Sequence, residues 1–167
     1  MTHDVVLGKV VLGQSKNYRD SYEIVPEPSL ASSKELIAYW RSCEERGGLV
    51  MNRDIPSRTL SKLIHGLSVI EPVDDGVDFR VRLFSADSTQ RFGRSPSGCL
   101  ISELSPQINS WYREFGNSVL SSRQPLIAIF STSSDGLSML RMEVVLLPMF
   151  SPGGEVPWLL VSGFPFE

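Results

Sequence analysis

The stretch Phe79–Leu104, FRVRLFSADSTQRFGRSPSGCLISEL, decides the fold. With Val77 before it, it opens in alternation: Val77, Phe79, Val81 and Leu83 on one face, Asp78, Arg80, Arg82 and Phe84 on the other. A period of two is that of a strand with one buried side. Ala86–Phe92 then reads as a short helix stopped by Gly93. Gly-Arg-Ser-Pro-Ser-Gly breaks the chain, and Cys99–Leu104 re-enters an apolar helical turn.

Upstream, Asp74-Asp75-Gly76 is a hairpin turn signal, so Leu67, Val69 and Ile70 belong to a preceding strand. Arg53–His65 reads as a loop leading into helical turns. Before it, Ser32 and Glu35 have the spacing of a capping box, which would open a helix. Leu36, Ile37, Trp40 and Cys43 share one face of that helix, and Gly47-Gly48 ends it. Residues 1–30 read as a flexible leader. Val5, Val6, Val10, Val11 and Leu12 could make a short strand there, and Pro26 and Pro28 cut the chain before the helix.

Downstream, Ser105-Pro106 starts the longest helix of the second half, with proline suited to the first position. Ile108, Trp111, Tyr112, Phe115 and Val119 recur along it at helical spacing, and Pro125 stops it. Three strands complete the domain: Leu126–Thr132, Leu137–Met149 after a turn at Asp135-Gly136, and Trp158–Phe164 after Pro152-Gly153-Gly154. The expected class is α+β, a five-stranded antiparallel sheet split in sequence by helices, preceded by an amphipathic helix.

The long strand carries a further clue. Leu140, Met142, Val144 and Leu146 form one apolar face, yet Val145 and Leu147 make the other face apolar as well. A sheet covered on one side would not need this. The Trp40 helix is the expected cover, from the same chain or from a second one. Leu36, Ile37, Trp40, Val145 and Leu147 are therefore the expected dimer or partner interface, and a homodimer is the expected assembly.

Two strands, a helical crossover and a three-strand meander resemble the PAS domain. The sharpest elements are the strand VDFRVRLFS, the helix ADSTQRFGR and the link SPSGCLISEL. The chain further resembles bacterial stand-alone PAS proteins that carry a Trp-bearing helix, here LIAYW, and an Arg-Asp segment, here NRDIPSRTLSKLIHGLSVIE. The resemblance implies a leader over 1–30, a helix and connecting segment over 31–65, and the PAS domain over 66–167. It implies a non-enzymatic signalling module that regulates or docks to a partner protein such as a sensor histidine kinase. The alternatives are a metabolite sensor binding a ligand in the core and an unrecognised small α+β enzyme.

Composition bounds these readings. Of 167 residues, 41% are hydrophobic and 21% charged, which suits one globular domain. A net charge of −3 without a basic stripe gives no electrostatic case for nucleic acid. No apolar run approaches the ~20 residues of a membrane span, so no membrane insertion is expected. MTHDVVLGKVVLGQ has neither a basic n-region nor a long apolar h-region, and Cys43 and Cys99 form no Cys-x-x-Cys motif. A cytoplasmic protein is the expectation.

No cofactor is expected. Haem-binding PAS domains take their axial histidine from the long helix, and PQINSWYREFGNSVLSSRQ has none. His3 and His65 lie elsewhere. Photosensing flavin versions use a cysteine between Asn and Arg, whereas Cys99 sits in Ser-Gly-Cys-Leu-Ile. Two histidines and two distant cysteines make no zinc shell. Neither Gly-x-Ser-x-Gly nor a phosphate loop occurs. The candidate ligand residues are Trp111, Tyr112 and Phe115, which could line a pocket or simply fill the core. Arg80 and Arg82 could grip an anion, or face solvent or be tied to Asp78 and Glu143 across the sheet.

Overall fold

The computed structural model describes residues 5–7, 10–12, 18–86, 89, 95–134 and 137–166. Among these, β1 (Val5–Leu7) and β2 (Val10–Leu12) pair as a small hairpin. The main sheet has six strands: β3 (Tyr18–Val25), β4 (Leu67–Val73), β5 (Asp78–Leu83), β6 (Leu126–Ser134), β7 (Leu137–Phe150) and β8 (Pro157–Pro165). Their order across the sheet is β3-β6-β7-β8-β4-β5, and every pairing is antiparallel. The fold is α+β as expected, with six strands rather than five.

The sixth strand comes from the expected leader. β3 pairs with β6 over eight consecutive positions, from Tyr18 opposite Ser134 to Val25 opposite Ile127. The loose reading of 1–30 is thus corrected over 18–25. Residues 20–24 are all exposed, so no buried stripe marks the strand. Its identity comes from the partner strand and not from its own pattern. The turn at Asp135-Gly136 and most of the Ala86–Phe92 helix with its stop at Gly93 lie outside the described residues. The Thr89 N–H does donate to the Ser85 carbonyl at 2.9 Å, the bond of a helical turn.

A helical layer covers each face. On the inner face lie α2 (Ile101–Leu104), α3 (Pro106–Trp111) and α4 (Asn117–Ser122). Ile70, Phe79, Val81, Ile108, Tyr112, Phe130, Met142, Val144, Leu146 and Leu159 fill the space beneath them. On the outer face lies α1 (Ala31–Glu44) with the segment 49–66. Its Leu36, Ile37, Trp40 and Cys43 meet Val145, Leu147, Met149 and Leu160. The two-sided apolarity of β7 is therefore used within one chain.

The alternation expected for β5 holds at Phe79 and Val81 and fails at both ends. Val77 is exposed. A bulge lies in β5: Val69 faces Leu83 while Ile70 faces Val81. The unopposed Arg82 reverses the facing of the residues after it. Leu83 packs with the outer cluster and Phe84 with the inner one, the opposite of the expected faces.

The capping box is also corrected. Ser32 lies inside α1, whose N-cap is Leu30 and has no side-chain cap of its own. The two N–H groups that lead into the helix are met from the sheet. The carboxylate of Glu143 on β7 accepts from the Ser29 N–H at 2.7 Å and the Leu30 N–H at 3.1 Å. Glu143 is completely buried, and a carboxylate at a helix N-terminus satisfies both open N–H groups and the helix dipole. Midway along α1, the Trp40 indole donates to the Pro148 carbonyl at 2.8 Å. At its C-terminal end, Glu44 pairs with Arg123 at 3.4 Å.

Asp54 anchors the turn beyond α1. Only 3% exposed, it accepts from the Val50 N–H at 2.8 Å and from Arg53 Nε and Nη2 at 3.0 and 2.8 Å. Its backbone carbonyl accepts the Tyr39 hydroxyl at 2.7 Å. Burial on its own would raise the pKa of this carboxyl. The Arg53 and Val50 hydrogen bonds, with the charges of Arg53 and Arg46, outweigh burial and hold it below the usual carboxylate range. Asp54 thus serves to shape the turn.

Candidate functional site

The inner helical layer is built around a π turn. Ser105 caps α3, its hydroxyl accepting from the Ile108 N–H at 3.3 Å, and Pro106 takes the first position as expected. The helix then widens into a π turn over Tyr112–Gly116 before continuing as α4. Such turns recur at functional sites because one extra residue re-aims the side chains around it. Gly116 permits the close approach: a Cβ there would stand 3.1 Å from Leu159 Cδ1 and 3.3 Å from Tyr112 Cδ1.

The layer is pinned to the β4–β5 hairpin at one end. The Asn117 amide donates to the Gly76 carbonyl at 2.9 Å and to the Arg113 carbonyl at 2.8 Å. Gly76 has φ +85°, and any Cβ would collide with the Asn117 amide. Asp78 receives the Ser102 hydroxyl and fixes α2 to β5.

Aromatic rings fill the other end. Trp111 stands 5.2 Å from Tyr112, 5.5 Å from Phe115 and 5.7 Å from Tyr22 on β3, centre to centre. Tyr22 also contacts Phe130 at 5.1 Å, and Tyr112 contacts Phe79 at 5.3 Å. These are packing distances. Two polar atoms in this cluster are buried without a hydrogen-bond partner among the described residues: Trp111 Nε1 and the Tyr112 hydroxyl. Burial, with Tyr22 nearby as a lesser cause, pushes the Tyr112 phenol well above its ordinary range. Tyr22 is raised too, by burial first and by the Asp20 carboxylate second. Both phenols stay neutral donors.

The five expected ligand residues do not come together. Trp111 and Tyr112 are buried in the inner cluster and Phe115 is half-buried at its margin. Arg80 and Arg82 lie apart from them, because alternation on β5 turns them away from Phe79 and Val81. Both pair with Glu71, at 3.7 and 3.9 Å. Arg80 also donates to the Gly98 carbonyl at 2.9 Å, and the Arg82 guanidinium lies 5.3 Å from the centre of the Trp158 ring. The expected ties to Asp78 and Glu143 are not made, since Asp78 holds α2 and Glu143 caps α1.

The expected interface residues Leu36, Ile37, Trp40, Val145 and Leu147 do meet one another, but inside one chain, each at most 6% exposed. They join α1 to its own sheet and offer no free surface. Cys43 is buried among them, and His65 is exposed just before β4. Among the described residues, no three His, Cys, Asp or Glu side chains are grouped as metal ligands, and no helix is long and apolar enough to cross a membrane.

Sequence reasoning missed Tyr22, Asn117 and the capping role of Glu143. Only Glu143 left a signal: a lone carboxylate inside the apolar run of β7 must answer a buried donor. Unpartnered buried atoms also occur elsewhere, among them Asn109 on α3 and, on the outer side, Ser33, Trp158 and Ser162. The inner pair differs from these in adjacency, two donors on consecutive residues where the helix is distorted.

Comparison with protein-family models, with curated proteins and with solved structures finds no match to this chain.

Proposed function

We propose that this chain is a non-enzymatic PAS-type signalling module. Its inner helical layer receives a small organic molecule, and its output is contact with a partner signalling protein such as a sensor histidine kinase. The sequence order supports the reading: two strands, a helical crossover and a three-strand meander, closed where β4 lies beside β8. Asp54 and Glu143, the buried carboxylates, are taken up in shaping α1 and its turn, which suits structural duty and not acid–base work.

One observation carries the ligand reading. The Trp111 indole N–H and the Tyr112 hydroxyl are neighbouring buried donors without a partner among the described residues. Leaving such a group unmet costs about 1–3 kcal/mol, and a ligand with a carbonyl or similar acceptor would recover it. Native mass spectrometry with an absorbance spectrum tests this on the full chain. The expected result is a colourless protein carrying a small organic molecule, or one whose melting temperature rises with a metabolite. Tyr112→Phe should abolish that rise and leave the free protein equally stable or up to ~1 kcal/mol more so. A variant that loses stability without ligand would show that the hydroxyl already has a structural partner, and would sink the site. Capture of a histidine kinase by the ligand-free and ligand-bound forms tests the output.

A further inference from the structure

The two edges of the six-stranded sheet are finished differently. β5 is short, carries a bulge, and has residues 98–100 laid along it. The Val81 N–H donates to the Cys99 carbonyl at 3.0 Å, the Gly98 N–H donates to the Val81 carbonyl at 2.7 Å, and Arg80 bridges Leu100. A bulge and a covering segment are how natural sheets close an edge. β3 has neither among the described residues. It runs eight residues without a register shift, contains no proline or lysine, and exposes Tyr22 and Ile24 at 39% and 50%. An edge of that kind is a template for another strand.

The sequence of β3, Tyr-Arg-Asp-Ser-Tyr-Glu-Ile-Val, is complementary to itself when reversed. In a two-fold antiparallel pair one residue faces its own copy, and residues directly opposite share a sheet face. With Ser21 on the axis, Arg19 falls opposite Glu23, Tyr18 opposite Ile24 and Asp20 opposite Tyr22. Opposite charges meet twice and aromatic meets aliphatic twice. Moving the axis to Asp20 sets carboxylate against carboxylate. Moving it to Tyr22 sets Asp20 against Ile24 and Arg19 against Val25. Of these three registers, the one about Ser21 sets opposite charges together and no like charges against each other, a match that a peptide of unrelated sequence would have no reason to make. We infer that β3 is a self-association edge: two copies of this chain pair through it antiparallel about Ser21, making one continuous sheet. The inference does not rest on the ligand reading.

Sedimentation equilibrium of the full chain tests it. At roughly 0.1 mM, a hundredfold above a Kd of about 1 µM, the chain should be dimeric. Glu23 is exposed, so Glu23→Arg should leave the fold intact while raising the dimer Kd at least about tenfold by setting like charges opposite each other. Arg19→Glu should do the same. The double variant should restore the dimer, and at roughly 1 µM, where each single variant alone is mostly monomeric, mixing the two should give heterodimers. Ser21→Cys should oxidise to a covalent dimer, since opposed Cα atoms lie about 4.5–5.5 Å apart, within disulfide reach. A monomeric wild type, a dimer indifferent to Glu23→Arg, or a double variant that stays dissociated would each overturn the proposal.

Discussion

The two helical layers rest on the same sheet but are held by different forces. The outer layer is fastened by placed hydrogen bonds: Glu143 at the start of α1, Pro148 under Trp40, Arg123 at the far end and Asp54 in the turn beyond. The inner layer is fastened to the hairpin through Asn117 and to β5 through Asp78, and otherwise by shape. Its other end is rings in contact, two of them carrying unmet donors. Hydrogen bonds with fixed partners define one position, whereas packed apolar surfaces tolerate small sliding at modest cost. On the proposed reading, the outer layer is scaffolding. The inner layer is the one that a bound molecule can shift.

The contrast can be broken most severely at Phe79, which is fully buried beneath Tyr112. Phe79→Ala should cost about 3–5 kcal/mol, because nothing polar holds the surrounding rings while a cavity opens. A loss under ~1 kcal/mol by urea unfolding would mean that the inner layer collapses onto the gap and is softer still. Asp54→Ala comes next, at roughly 2–3 kcal/mol, since it strands the buried Val50 N–H and removes the ion pair with Arg53. This term also has a pH signature. The folded-state pKa of Asp54 lies below its unfolded value near 3.8, so its stabilisation is complete above that value. It is lost as pH falls through the folded pKa. Acid should therefore loosen the turn beyond α1, read by hydrogen exchange at Val50, and Asp54→Ala should flatten that slope. An unchanged slope would show that Asp54 does not govern it.

The smallest effect expected belongs to Glu143. Glu143→Leu leaves two N–H groups at the start of α1 open and should cost roughly 2 kcal/mol. Glu143→Gln keeps an acceptor and should cost about half as much. Equal losses would mean that the carboxylate matters for its charge and not for its geometry.

Much of this arrangement was legible in the residues. The meander, the hairpin at Asp74–Gly76, the Ser105 cap and the need for cover over Val145 and Leu147 follow from local pattern. The features that escaped depended on distant partners. β3 has no buried stripe and becomes a strand because β6 offers an edge. The faces of β5 exchange at a bulge that exists only in the pairing with β4. Ser32 and Glu35 have the spacing of a cap, but the acceptor comes from β7. At the candidate site, the spacing of Trp111, Tyr112 and Phe115 was readable, while the π turn that buries Tyr112 was not. Arginines on a half-buried strand look the same in sequence whether they grip an anion or, like Arg80 and Arg82, pair with Glu71.

The Glu143 cap bears on how the chain is born. It joins positions 114 residues apart in sequence, so during synthesis α1 leaves the ribosome long before its cap exists. Until β7 emerges and pairs, the Ser29 and Leu30 N–H groups at the entry to the helix have only water, and Trp40 has no strand to lie on. A 14-residue helix in that condition is marginal. Assembly of the outer layer is thus a late, whole-chain event, and a nascent chain halted before residue 143 should leave α1 open to protease.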